Sequence, residues 1–150
     1  MSDLPSPETL AKLVSGVTST MFGMTFSLSE PLATTPWSHA QAWHTAVLPI
    51  HGPRPLTVAL SADHAGAEAL CSAMFSCTAD ELDPSMIEDA LSELTNIVGG
   101  QVKRLLRVDQ PLGLPRMLRE SGEGVVDHGW RSATMRSGSA EVRFWVAVTG

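Results

Sequence analysis

Three polar side chains recur along one line of a helix-forming segment: Asp89, Glu93 and Asn96. An α-helix advances about 100° per residue, so with Asp89 at zero, Glu93 falls near 40°, Asn96 near 340° and Gly100 near 20°. Ile87, Ala90, Leu91, Leu94, Val98, Val102 and Leu105 fill the other side, between about 100° and 220° on the same count. A carboxylate and a carboxamide therefore stand one turn apart, facing away from the core. The amide can accept a hydrogen bond from water and donate one to oxygen, and it needs no tuned pKa to do so. Asn costs several tenths of a kcal/mol relative to Ala inside a helix, and Gly costs about 1 kcal/mol. Gly99 and Gly100 come in tandem just after Asn96. Helix-weakening residues thus lie on and beside the outward stripe of an otherwise strong helix. In one reading a partner approaches the backbone closely there. In the other, Asn96 is a solvated surface residue and the glycines serve packing or a kink. Spacing alone leaves both open.

Other chemistries have less support. His39, His44, His51, His64 and His128 include no close pair such as H-x-x-x-H on one helix, so they read as loop or strand histidines rather than metal ligands. No Walker loop or G-x-G-x-x-G segment is present, and no Cys-His arrangement suggests a nucleophile. An early acidic pair with a later strand-end Asp and a Lys is also missing, so the chain does not read as a receiver domain. The net charge of −6 offers no footprint for nucleic acid. Lys103, Arg104 and Arg107 cluster at a helix end, where they complement the C-terminal dipole. Arg104 and Arg107 also fall at about 60° and 0° on the helical count, on the outward side, where they could meet an acidic partner surface.

The elements that must position these residues follow from caps and periodicity. Ser6 and Pro7 open a first helix, and Leu10, Leu13, Val14, Val17 and Met21 recur along it until Gly23. Met24, Phe26 and Leu28 alternate as in a short strand, and Pro31 and Pro36 make the rest of 24–42 a connecting loop. Residues 43–50 and 56–61 form a hairpin about His51-Gly52-Pro53. Asp63 caps a second helix through Leu70 and Met74, and Thr78 to Asp83 is a polar turn. Pro84 then introduces the long helix, about 85–107, which Pro111, Gly113 and Pro115 prevent from continuing. Residues 114–118 read as a short strand or an edge segment. Runs at 130–136 and 140–148 flank a Ser137-Gly138-Ser139 turn. The expected fold is α+β in a single domain, 1–150: a mostly antiparallel sheet packed against two or three helices. The chain's 150 residues and 43% apolar content suit one core. The N-terminus lacks a signal-peptide pattern, and no apolar run reaches the roughly 20 residues that span a bilayer, so a cytoplasmic protein is expected. Cys71 and Cys77 are then reduced thiols, with a bridge as the lesser alternative.

Asp89-Ala-Leu-Ser-Glu93-Leu-Thr-Asn96-Ile-Val-Gly-Gly100 resembles the signature helix of the CheC, CheX and FliY chemotaxis phosphatases, and the order of elements around it is similar too. The single Glu-x-x-Asn motif resembles the CheX type rather than the duplicated CheC type. The chain departs from the pattern in Gly113-Leu114-Pro115, which looks like the family's later proline but comes a few residues early. The resemblance implies an aspartyl-phosphate phosphatase acting on a CheY-like response regulator. It assigns Asn96 to orienting the attacking water and Glu93 to pairing with the regulator's active-site lysine. Gly99 and Gly100 would spare the partner's loops a clash, and Asp89 would either contact the partner's rim or only stabilise the start of the helix, beside the Arg104 and Arg107 inferred above to meet an acidic partner surface. No cofactor of its own is implied; Mg²⁺ is expected in the regulator. A homodimer formed through the sheets is implied, for which Trp130, Phe144 and Trp145 could supply contacts; the alternative is that these aromatics belong to the core. The rival is a non-catalytic scaffold module of a signalling or flagellar-switch assembly. It would bind without turnover.

Overall fold

The computed structural model describes residues 4–30, 43–118, 130–137 and 143–149. Helix α1, Pro7–Phe22, begins where Ser6 accepts a 3.2 Å hydrogen bond from the Thr9 N–H, and it ends at Gly23 in the left-handed conformation. The short strand β1, Phe26–Leu28, follows. Strands β2, Trp43–Ile50, and β3, Leu56–Asp63, form the expected hairpin, with Leu48 opposite Val58. Asp63 caps helix α2, His64–Phe75, by accepting from the Gly66 N–H at 2.7 Å. Asp83 caps helix α3, Pro84–Leu106, by accepting from the Met86 N–H at 3.1 Å. Strands β4, Arg116–Met117, β5, Arg131–Ser137, and β6, Arg143–Thr149, complete the order.

The six strands form one antiparallel sheet in the order β1-β5-β6-β3-β2-β4. Strand alternation sends Ile50, Leu56, Val58, Leu60, Met135, Val146 and Val148 into one core with Leu10, Val14, Leu70, Leu91, Leu94 and Val98 of the three helices. Burying a large apolar side chain of this kind contributes about 1.5–3 kcal/mol. Helix α1 lies over β1 and β5, α2 over β3, and α3 over β2 and β3 near the β4 edge. On the other sheet face, Trp43, Val47, Ala59 and Leu118 form a smaller cluster against which Trp130 packs. There the buried Thr45 and Ser61 hydroxyls share a 2.7 Å hydrogen bond across the hairpin.

Several expectations shift in detail. Met21 and Leu105, placed on core stripes by periodicity, are 54% and 45% exposed because each lies at the end of its helix. Helix α3 stops one residue early: Arg107 adopts the left-handed conformation (φ 56°) as its cap. Both cysteines are free, Cys71 buried and Cys77 half-buried. The Ser137-Gly138-Ser139 turn beyond Ser137, Pro31, Pro36, His39, His128 and the side chains of Phe144 and Trp145 lie outside the described residues.

Candidate functional site

Helix α3 buries Ile87, Ala90, Leu91, Leu94, Thr95, Val98, Gly99 and Val102. Thr95 and Gly99, near 240° and 280° on the helical count, widen the buried sector beyond the apolar stripe. The Thr95 hydroxyl is satisfied within the helix, donating to the Leu91 carbonyl at 2.6 Å. The remaining sector faces outward: Asp89 and Glu93 are exposed, and Asn96 and Gly100 are half-buried. Among the described residues, no side-chain hydrogen bond or ion pair engages Glu93 or Asn96. Positions three apart on a helix bring side chains to about 5–6 Å at Cβ, so the two polar groups can reach one pocket together.

The tandem glycines have different environments. A Cβ on Gly99 would collide with Cδ2 of Leu48 and lie 3.5 Å from Cδ2 of Leu112. Gly99 therefore lets α3 settle onto β2 and the segment after α3. That moves it from the expected partner-facing set to packing. A Cβ on Gly100 would have no neighbour within 4 Å. Gly100 alone of the pair lies on the outward stripe. Arg104 and Arg107 are both exposed. Because Arg107 leaves the helical path, its direction no longer follows from the 100° count. Its backbone N–H closes the helix on the Arg104 carbonyl at 3.2 Å, while Val108 N–H bonds the Lys103 carbonyl at 3.1 Å. Lys103 and Arg104 lie in the last turn of α3, at its carbonyl end.

Two features around the helix had little signal in the sequence. His44 on β2 and His64 at the start of α2 meet with Nε2 and Nδ1 3.3 Å apart, and His64 Nε2 lies 3.6 Å from Glu68. Burial, then the neighbouring His64, pushes the His44 pKa below the ordinary histidine value, against the opposing pull of Glu88 and Glu68. Burial also pushes the Cys71 thiol up, with Cys77, Asp83 and Asp89 adding to it. Cys71 is therefore a protonated core thiol and a poor nucleophile. Among the described residues, no three His, Cys, Asp or Glu side chains are grouped to hold a metal ion, and no helix is long and apolar enough to cross a membrane.

This arrangement gives α3 an outward face that carries a carboxylate and an amide one turn apart. Comparison with solved structures gives the same architecture. A CheX from Desulfovibrio desulfuricans has 18% identity and a TM-score of 0.69, covering 93% of this chain and 94% of its own. CheX from Vibrio vulnificus has 16% identity and a TM-score of 0.70, covering 93% and 92%. A CheX from Borrelia burgdorferi, solved in a CheX–CheY–BeF3–Mg²⁺ complex, has 12% identity and a TM-score of 0.66, covering 93% and 94%. No curated protein sequence matches the chain. The family model described as chemotaxis phosphatase CheX matches residues 44–133, a span that contains all of α3. The chain belongs to the CheX chemotaxis phosphatase family.

Proposed function

We propose that this chain hydrolyses the aspartyl-phosphate of a CheY-like response regulator. The observation that carries this reading is the outward pair Glu93 and Asn96 on α3, one turn apart and without side-chain partners among the described residues. An acyl phosphate is already a reactive group. Its hydrolysis needs an in-line water and neutralisation of the charge on the phosphoryl oxygens. The regulator would supply its own Mg²⁺ and lysine. The CheX–CheY complex of Borrelia burgdorferi, which contains the phosphoryl analogue BeF3 and Mg²⁺, supports that class of partner.

In this mechanism the Asn96 carbonyl accepts a hydrogen bond from the attacking water, and its amide N–H can donate to oxygen. Water oxygen bonds to phosphorus as the bond to the aspartyl oxygen breaks, leaving inorganic phosphate and a free carboxylate. The Glu93 carboxylate pairs with the regulator's lysine and holds α3 over the phosphoryl group. Gly100 leaves room for the regulator's loops, and Asp89, Arg104 and Arg107 form the rim. Gly99 is left out of this set because it packs against Leu48.

The test is phosphate release from a cognate phosphorylated regulator. Asn96→Ala should abolish turnover with fold and binding intact, whereas Glu93→Ala should also weaken binding. A scaffold module would bind the regulator without accelerating phosphate release. The reading includes a cytoplasmic homodimer, checked by sedimentation equilibrium: a monomer at working concentrations would remove that element.

A further inference from the structure

The starts of β2 and α2 meet at the open end of the hairpin, where register sets Trp43 opposite Asp63 and His44 opposite Ala62. Alternation puts His44 on the helix-bearing face with Leu48 and Ile50, while Trp43 and Val47 point to the other face. His64 is the first residue of α2, directly after its Asp63 cap. The two rings stand on different elements and still meet. Nε2 of His44 lies 3.3 Å from Nδ1 of His64, with the ring centroids 5.5 Å apart.

Two imidazole nitrogens bound to one tetrahedral ion, each about 2.0–2.1 Å from it, stand about 3.3–3.4 Å apart. The His44–His64 separation matches that edge. On the far side of His64, Nε2 lies 3.6 Å from a Glu68 carboxylate oxygen. A carboxylate there favours the proton on Nε2 and leaves the Nδ1 lone pair turned toward His44. Metal-ligating histidines are commonly oriented in this way, the second ring nitrogen donating to a carboxylate. Glu88, half-buried on α3, acts on His44 more strongly than Glu68 does, so a second carboxylate faces the pair from a third element.

We propose that His44 and His64 chelate one divalent transition ion of the Zn²⁺ class, with Glu68 orienting His64 and with Glu88 and water completing the shell. The histidines supply two ligands as they stand. No three such groups already surround one point among the described residues, so the Glu88 side chain turns in when the ion binds. Imidazole ligands select Zn²⁺ over Mg²⁺ and Ca²⁺, which take oxygen ligands. The His64 side chain is 64% exposed, so an ion enters from solvent. Glu88 precedes Asn96 by eight residues, about 12 Å along α3, so the ion takes no part in phosphoryl chemistry. It ties together the starts of β2, α2 and α3.

Isothermal titration of the full chain with Zn²⁺, after removal of metals with EDTA, tests this. One ion should bind per chain, and the melting temperature should rise with Zn²⁺ but not with the same concentration of Mg²⁺. Glu68→Gln keeps both ligands and loses the orienting carboxylate, so it should weaken binding about ten- to a hundred-fold. His44→Gln and His64→Gln should weaken it at least as much. Because His64 is exposed, His64→Gln should be as folded as wild type by circular dichroism and keeps the test open where His44→Gln disturbs β2. Absence of both binding heat and a melting shift would mean a ring-to-ring hydrogen bond only, and would overturn the site. Unchanged affinity in His64→Gln would also overturn it, by assigning the ion to other groups such as the Cys77 thiol.

Discussion

Alanine should stabilise the protein at Gly100 but not at Gly99. The two residues are neighbours in one helix, so the intrinsic gain from Gly to Ala is the same for both, about 1 kcal/mol. At Gly100 nothing lies within 4 Å of the added methyl, so the gain should appear almost whole. At Gly99 the methyl collides with Cδ2 of Leu48, a side chain with no solvent exposure that must shift within the core to make room. Overpacking of this kind costs about 1–3 kcal/mol, which cancels or exceeds the helix gain. Gly100→Ala should therefore be the more stable variant by about 1–3 kcal/mol. Urea unfolding reads this as a shift in midpoint at constant m. Adding Leu48→Ala should remove the penalty at Gly99, giving favourable coupling in a double-mutant cycle. A Gly99→Ala variant as stable as Gly100→Ala would refute the placement of α3 on β2. The two variants also divide function from folding: Gly100→Ala should lose phosphatase activity despite its added stability, because it thickens the face the partner meets.

Acid should weaken the fold through His44. Its folded pKa lies below the ordinary value of 6.5, so as pH falls below 6.5 the unfolded chain takes up a proton that the folded chain resists. Stability is then lost until the folded form also protonates. Denaturation midpoints of wild type and His44→Gln between pH 7.5 and about 5 check this, and the variant should show the flatter profile. Thiol labelling should modify Cys77 in the native protein and reach Cys71 only on unfolding, since Cys71 is fully buried and its thiol stays protonated. Equal native-state rates at both would contradict the packing of α2.

The outward stripe was legible because α3 is long, capped by Asp83 and strongly two-sided, so one period fixed Glu93 and Asn96 relative to Leu91, Leu94 and Val98. The caps at Ser6 and Asp63 were legible because a short polar side chain stands before each helix, whereas Asp83, read as part of a polar turn, caps α3. The role of Gly99 was not. Its angle lies at the margin of the apolar sector, and what decides its burial is Leu48, from a strand about fifty residues earlier. The His44–His64 contact depends on hairpin register, which places Trp43 opposite Asp63 and so brings the start of β2 to the start of α2. Periodicity also overextended the core to Leu105, because it sees the face of a helix but not where the sheet beneath it ends.

The central claim is that Asn96 positions the water that attacks an aspartyl-phosphate. Its most direct measurement is single-turnover loss of phosphate from a cognate phospho-regulator held at saturating concentrations of wild type or Asn96→Ala. Loss of a positioned nucleophile should slow the reaction by about a hundred-fold or more, down to the regulator's own rate, with complex formation unchanged. An Asn96→Ala protein that dephosphorylates the regulator at the wild-type rate would contradict the account.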